Sequence, residues 1–118
     1  MNRQQIVKKL SKITSALLIE KGYISFVDVL IRMGYISNED YENWRFKKVP
    51  FLEKAINVNI SKINFILRTV QKNCRNSQLK PSKTEYKSWG KGPKKVLRFS
   101  KSRDDSLEEA YSTHFVKP

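Results

Sequence analysis

The stretch Leu18-Ile19-Glu20-Lys21-Gly22-Tyr23-Ile24-Ser25-Phe26-Val27-Asp28 is echoed twelve residues on by Leu30-Ile31-Arg32-Met33-Gly34-Tyr35-Ile36-Ser37-Asn38-Glu39-Asp40. Both copies carry one physical device. Glycine takes the left-handed position that ends a helix, and the aliphatic residue two positions on anchors the turn. Serine then caps the next helix, with an acidic residue three positions later beside that helix's positive end. Two copies this short do not make a solenoid, so they read as repeated turn chemistry that cuts the chain into short helices. The expected fold class is mainly α.

Outward from this stretch the punctuation continues. Towards the N-terminus, Ile6, Leu10, Ile13 and Leu17 at helical spacing predict a helix over residues 4–21. The two serine caps start helices over residues 26–33 and 38–46. Pro50 suits the first turn of a helix over residues 50–56. A longer helix spans 60–75, capped by Asn59, with Ile60, Ile63, Leu67, Val70 and Cys74 on its apolar face. The adjoining stripe, Ser61, Asn64, Arg68, Gln71 and Arg75, is polar or cationic throughout.

Past Asn76 and Ser77 the large aliphatics thin out. Ser82-Lys83-Thr84-Glu85 is a capping box that predicts a short helix carrying Tyr86 and Trp89 and stopping at Gly90. Two glycines and a proline make residues 90–95 a loop, and a minor β element is expected near residues 95–100. A further capping box, Ser106 to Glu109, opens a last helix through Tyr111, and the chain is expected to fray near His114, Phe115 and Pro118. The expectation is a single small multi-helix domain over residues 1–118 with four to six short helices. Its parts are a helical body (1–75), a basic aromatic segment (76–103) and an acidic C-terminal helix and tail (104–118).

Charge separates these parts more sharply than hydropathy does. The 118 residues hold 24 Lys and Arg against 11 Asp and Glu, a formal net charge of +13. Residues 1–60 carry +4, residues 61–103 carry +12 with Glu85 as their one acidic residue, and residues 104–118 carry −3. A solvated surface usually mixes both signs, so a block of one sign is the footprint expected for a polyanion. The longest apolar run, Ala16 to Ile19, is far short of a membrane span, and no secretory signal pattern opens the chain. Cys74 is the single cysteine, so a reducing, cytoplasmic setting is expected. With one cysteine and one histidine, no metal site and no cofactor are expected.

Residues 52–66 carry the pattern Ile56, Asn57, Val58, Asn59, with Ile63 and Ile66 spaced to pack back onto a preceding helix. In this it resembles the helix-turn-helix of DNA-binding proteins, a local likeness placed within residues 50–75. Asn57 stands where that family usually has glycine, and Glu53 stands where a small residue lets the two helices approach. The resemblance implies that the second helix presents Ser61, Asn64 and Arg68 to a groove, where Asn pairs with adenine and Arg with guanine. Lys72 and Arg75 would then meet phosphates.

A second constellation follows at Tyr86, Lys87, Trp89, Lys91, Lys94, Lys95, Arg98, Phe99 and Lys101. Cations interleaved with aromatic rings suit nucleic acid, the cations tracking the backbone and the rings stacking on unpaired bases. An alternative places Trp89 and Phe99 in a core with only the lysines outward. Catalysis is not expected, because His114 stands alone and the acidic group Asp104, Asp105, Glu108 and Glu109 is explained by the dipole of the last helix. The leading expectation is a non-catalytic nucleic-acid-binding protein, regulatory in kind, with DNA ahead of RNA. The alternative is a small interaction module or inhibitor that docks its basic face on an acidic protein partner.

Overall fold

In the computed structural model, which describes residues 2–118, the repeated turn decides the N-terminal half as the sequence implies. Helix α1 (Arg3–Lys21) ends at Gly22 with φ 78°, and α2 (Phe26–Met33) ends at Gly34 with φ 80°. The Oγ of Ser25 accepts from the Asp28 N–H at the start of α2, and that of Ser37 accepts from the Asp40 N–H at the start of α3 (Asn38–Arg45). The two copies nevertheless meet different partners. Tyr23–Ser25 becomes a strand, β1, because residues 114–116 pair with it. The equivalent turn after Gly34 is tied instead to Asn57, whose backbone N–H donates to the Tyr35 carbonyl at 2.9 Å and whose side-chain amide donates to the Gly34 carbonyl at 3.2 Å.

Beyond α3 the chain makes a single 3-10 turn (Leu52–Ala55), then α4 (Ile60–Asn76), strand β2 (Lys80–Ser82), helix α5 (Asp105–Ser112) and strand β3 (His114–Val116). The result is mainly α with a small sheet in the order β1-β3-β2, both pairings antiparallel. A Cα radius of gyration of 14.0 Å matches the ~13.5 Å expected for one compact domain of this length.

Five expectations are corrected. The helix foreseen over 50–56 shrinks to one 3-10 turn because the Leu52 and Glu53 N–H groups donate to the Arg98 and Phe99 carbonyls. The helix foreseen after Ser82 is absent. Ser82 is spent in β2 opposite His114, and Tyr86 and Ser88 point inward while Lys87 and Trp89 point outward, the period of an extended chain. The β element lies at β1, β2 and β3, whereas residues 95–100 contribute only an isolated bridge from Val96 to Lys87. The C-terminus, expected to fray, supplies the central strand. Finally, α5 is capped by Asp104, whose carboxylate accepts from the Leu107 N–H, two residues before the serine read as its cap.

The core joins two textures. Ile6, Leu10 and Leu17 of α1 meet Val29 and Leu30 of α2 and Ile63, Ile66 and Val70 of α4. Ile66 takes the core place expected for Ile60, which is half exposed. The other half is aromatic: Trp44 lies 5.1 Å from Phe99 and 5.7 Å from Tyr86 between ring centroids, and Phe99 stacks on Tyr111 at 5.5 Å. The basic segment therefore contributes its own aromatic residues to the core and is not an appendage.

Candidate nucleic-acid interface

Helix α4 divides cleanly into two faces. Asn59 caps it by accepting from the Lys62 N–H, and Ile63, Ile66, Leu67, Val70 and Cys74 are buried. Ser61, Asn64, Arg68, Lys72 and Arg75 are all exposed, a 3-4-4-3 spacing that aligns them along one side. Burial pushes the Cys74 thiol up to about 11, which keeps it protonated and inert at neutral pH. Before the helix, Asn57 is not among the residues with positive φ, so its part is to bind the Gly34 turn. Glu53 does not hold two helices apart: its carboxylate accepts from the Tyr111 hydroxyl at 2.8 Å and from the Lys101 N–H at 3.0 Å.

The second constellation folds into a hairpin. The Ser88 N–H donates to the Lys95 carbonyl at 2.8 Å, the Lys95 N–H donates to Ser88 Oγ at 3.0 Å, and the Leu97 N–H donates to the Tyr86 carbonyl at 2.7 Å. Gly90 and Gly92, at φ 101° and 95°, turn the tip, which carries Lys91 and Lys94, both exposed. Two bonds to α3 and its end seat the hairpin: the Trp89 N–H donates to the Arg45 carbonyl at 2.7 Å, and the Trp44 indole N–H donates to the Arg98 carbonyl at 2.8 Å. Tyr86, Leu97 and Phe99 go inward, so Tyr86 and Phe99 are core. Trp89 stays 40% exposed.

Residues that the sequence reading did not select complete this surface. The Arg45 guanidinium lies over the Trp89 ring at 4.7 Å and the Tyr86 ring at 5.3 Å, and its buried Nε has no hydrogen-bond acceptor. Phe46, 46% exposed, meets Trp89 edge-on at 5.7 Å. An open cleft of about 300 Å³ is lined by Lys47, the residue after Phe46, with Lys95, Arg98, Arg103, Val49, Pro50, Val96 and Leu97. Lys47 and Arg103 both hold left-handed backbone, φ 62° and 61°. The run Trp44-Arg45-Phe46-Lys47-Lys48 carried the same basic and aromatic interleaving, but it sat in the segment whose net charge is low.

The charges of this surface are not neutralised internally. Among the described residues the ion pairs are Lys21 with Asp28 and Arg32 with Glu20, both within the first three helical elements. None of the thirteen cations in residues 61–103 is paired with a carboxylate. The acidic end is engaged elsewhere. Glu108 accepts from the Phe99 N–H, the Ser100 N–H and the Ser100 hydroxyl, all within 2.8 Å. Arg98 is partly committed: its guanidinium donates to the Ser100 and Lys101 carbonyls and lies over Phe51.

His114, in the central strand, stacks on Tyr23 at 4.8 Å, and its Nε2 is 2.9 Å from the Tyr86 hydroxyl. Neighbouring Asp28 is already held by Lys21 Nζ and Ser25 Oγ. No group of three or more His, Cys, Asp or Glu side chains among the described residues is placed to hold a metal ion. No helix among them is long and apolar enough to cross a membrane. The chain matches no protein-family model, no curated protein and no solved structure.

Proposed function

We propose that this chain is a non-catalytic, regulatory nucleic-acid-binding protein, with DNA its first target. One observation carries the reading: a block of +12 in which all the cations but Lys62 and Arg98 are exposed and none has a carboxylate partner. Like charges held close on a folded surface repel one another, and a polyanion relieves that repulsion by replacing many small counterions at once. The exposed face of α4 supports DNA in particular. Asn64 and Arg68 are the side-chain types that read adenine and guanine edges, and Lys72 and Arg75 continue the same side towards phosphates. The helix-turn-helix likeness implies the same use of α4, but the element before α4 is a single 3-10 turn and not the first helix of that motif.

The test is a mobility-shift titration of duplex DNA and RNA against the wild type and the variant Arg68→Ala/Lys72→Ala/Arg75→Ala. These three residues lie outside the core, so the variant is expected to fold. Binding at about 50 mM salt should fade towards 200 mM, and each phosphate contact removed should flatten the salt slope by about 1. Absence of binding to either polymer at the lower salt would sink the proposal.

A further inference from the structure

We infer that Phe46 and Trp89, with the cationic cleft beside them, form a separate site for single-stranded nucleic acid; this rests on the nucleic-acid reading above and adds strandedness to it. Two large rings that touch and are firmly anchored are ordinarily covered by the rest of the chain. Trp44 shows that ordinary case: it is fully buried and its indole N–H is satisfied. Trp89 and Phe46 are anchored yet left open, at 40% and 46% exposure. Trp89 is fixed by its N–H bond to the Arg45 carbonyl, by the Arg45 guanidinium over the indole and by Tyr41 edge-on at 5.8 Å, and Phe46 by its N–H bond to the Glu42 carbonyl at the end of α3. A platform already rigid loses little conformational freedom when a flat ligand settles on it.

The cleft adjoins this platform along the chain. Lys47 follows Phe46, and Lys95 is hydrogen-bonded across the hairpin to Ser88, the neighbour of Trp89. Lys47, Lys95, Arg98 and Arg103 line it, and no acidic residue does. Charge complementarity therefore selects an anion, and the rings select one that carries flat apolar groups. A duplex hides its base faces in its own stack and offers only edges. An unpaired strand offers faces to the rings and one phosphate chain to the cleft. The exposed stripe of α4 has cations and amides but no exposed aromatic ring, so the two surfaces differ in what they can hold.

The experiment uses the full chain with three probes: oligo(dT) of about 12 nucleotides, within the span a stacking site covers, a duplex of the same length, and poly(glutamate). With Trp44 buried, quenching of the exposed tryptophan emission reports Trp89. Oligo(dT) should quench it. Trp89→Ala should weaken oligo(dT) binding about tenfold and duplex binding less than about twofold. The double variant Lys95→Ala/Arg103→Ala, exposed and outside the core, should flatten the single-strand salt slope by about 1.4, and it decides the matter if Trp89→Ala does not fold. Equal loss for both polymers, no loss for either, or an unchanged slope in the double variant overturns the inference. So does poly(glutamate) that competes as well as oligo(dT). Duplex binding without oligo(dT) binding defeats this inference alone, whereas failure of both polymers at about 50 mM salt defeats the nucleic-acid reading with it.

Discussion

Burial lowers the pKa of His114, with the Asp28 charge opposing the shift and Lys21 adding to it. The imidazole packs between Tyr23 and the Tyr86 hydroxyl, on the strand that pairs with both neighbours in the sheet. The folded chain thus binds a proton there less readily than the unfolded chain does. Its contribution is intact above the ordinary histidine value of about 6.5 and is lost as the pH falls below that towards the folded value. Urea unfolding at pH 7.5 and at pH 5.5 should show lower stability at the acid value, and His114→Gln should remove most of that difference. An equal acid loss in the variant would assign the effect to other groups. The sequence alone could not show this role. A lone histidine four residues from the end of the chain reads as surface, because strand pairing between residues 23–25 and 114–116 leaves no local mark on either segment.

Elements that obey a local rule were legible, and those claimed by a distant partner were not. The two glycine stops and serine caps define α1, α2 and α3, and the apolar spacing defines α4. Pro50 and the Ser82 capping box, by contrast, are local helix signals overridden by long-range backbone bonds from residues 97–99 and 114. Helix α5 is joined to the extended segment by the Tyr111 ring stacked on Phe99 and by Glu108, which accepts three hydrogen bonds there. Glu108→Ala leaves two backbone N–H groups without their carboxylate and should cost about 2–3 kcal/mol in urea unfolding. Glu109→Ala, on the exposed side of the same helix, should stay within about 0.5 kcal/mol. Equal effects from the two substitutions would contradict the role given to Glu108.

At the scale of the molecule, charge arithmetic located the basic surface without seeing all of it. The cations of residues 61–103 were legible because they are contiguous in sequence. Lys47, Arg45 and Phe46 were not, because they reach the same surface only through α3 and the hairpin seated on it. Nor is the acidic end a detachable counterweight, since residues 104–118 hold Tyr111 of the core and the central strand. Its carboxylates form no ion pair with the basic block, so under the proposed function the affinity for a polyanion comes from the net excess. The most direct measurement is the affinity of the full chain for a generic DNA duplex across a series of salt concentrations. Neutralisation of about six phosphates predicts a log-log slope near −5. A slope close to zero, or no binding at about 50 mM salt, would contradict the account.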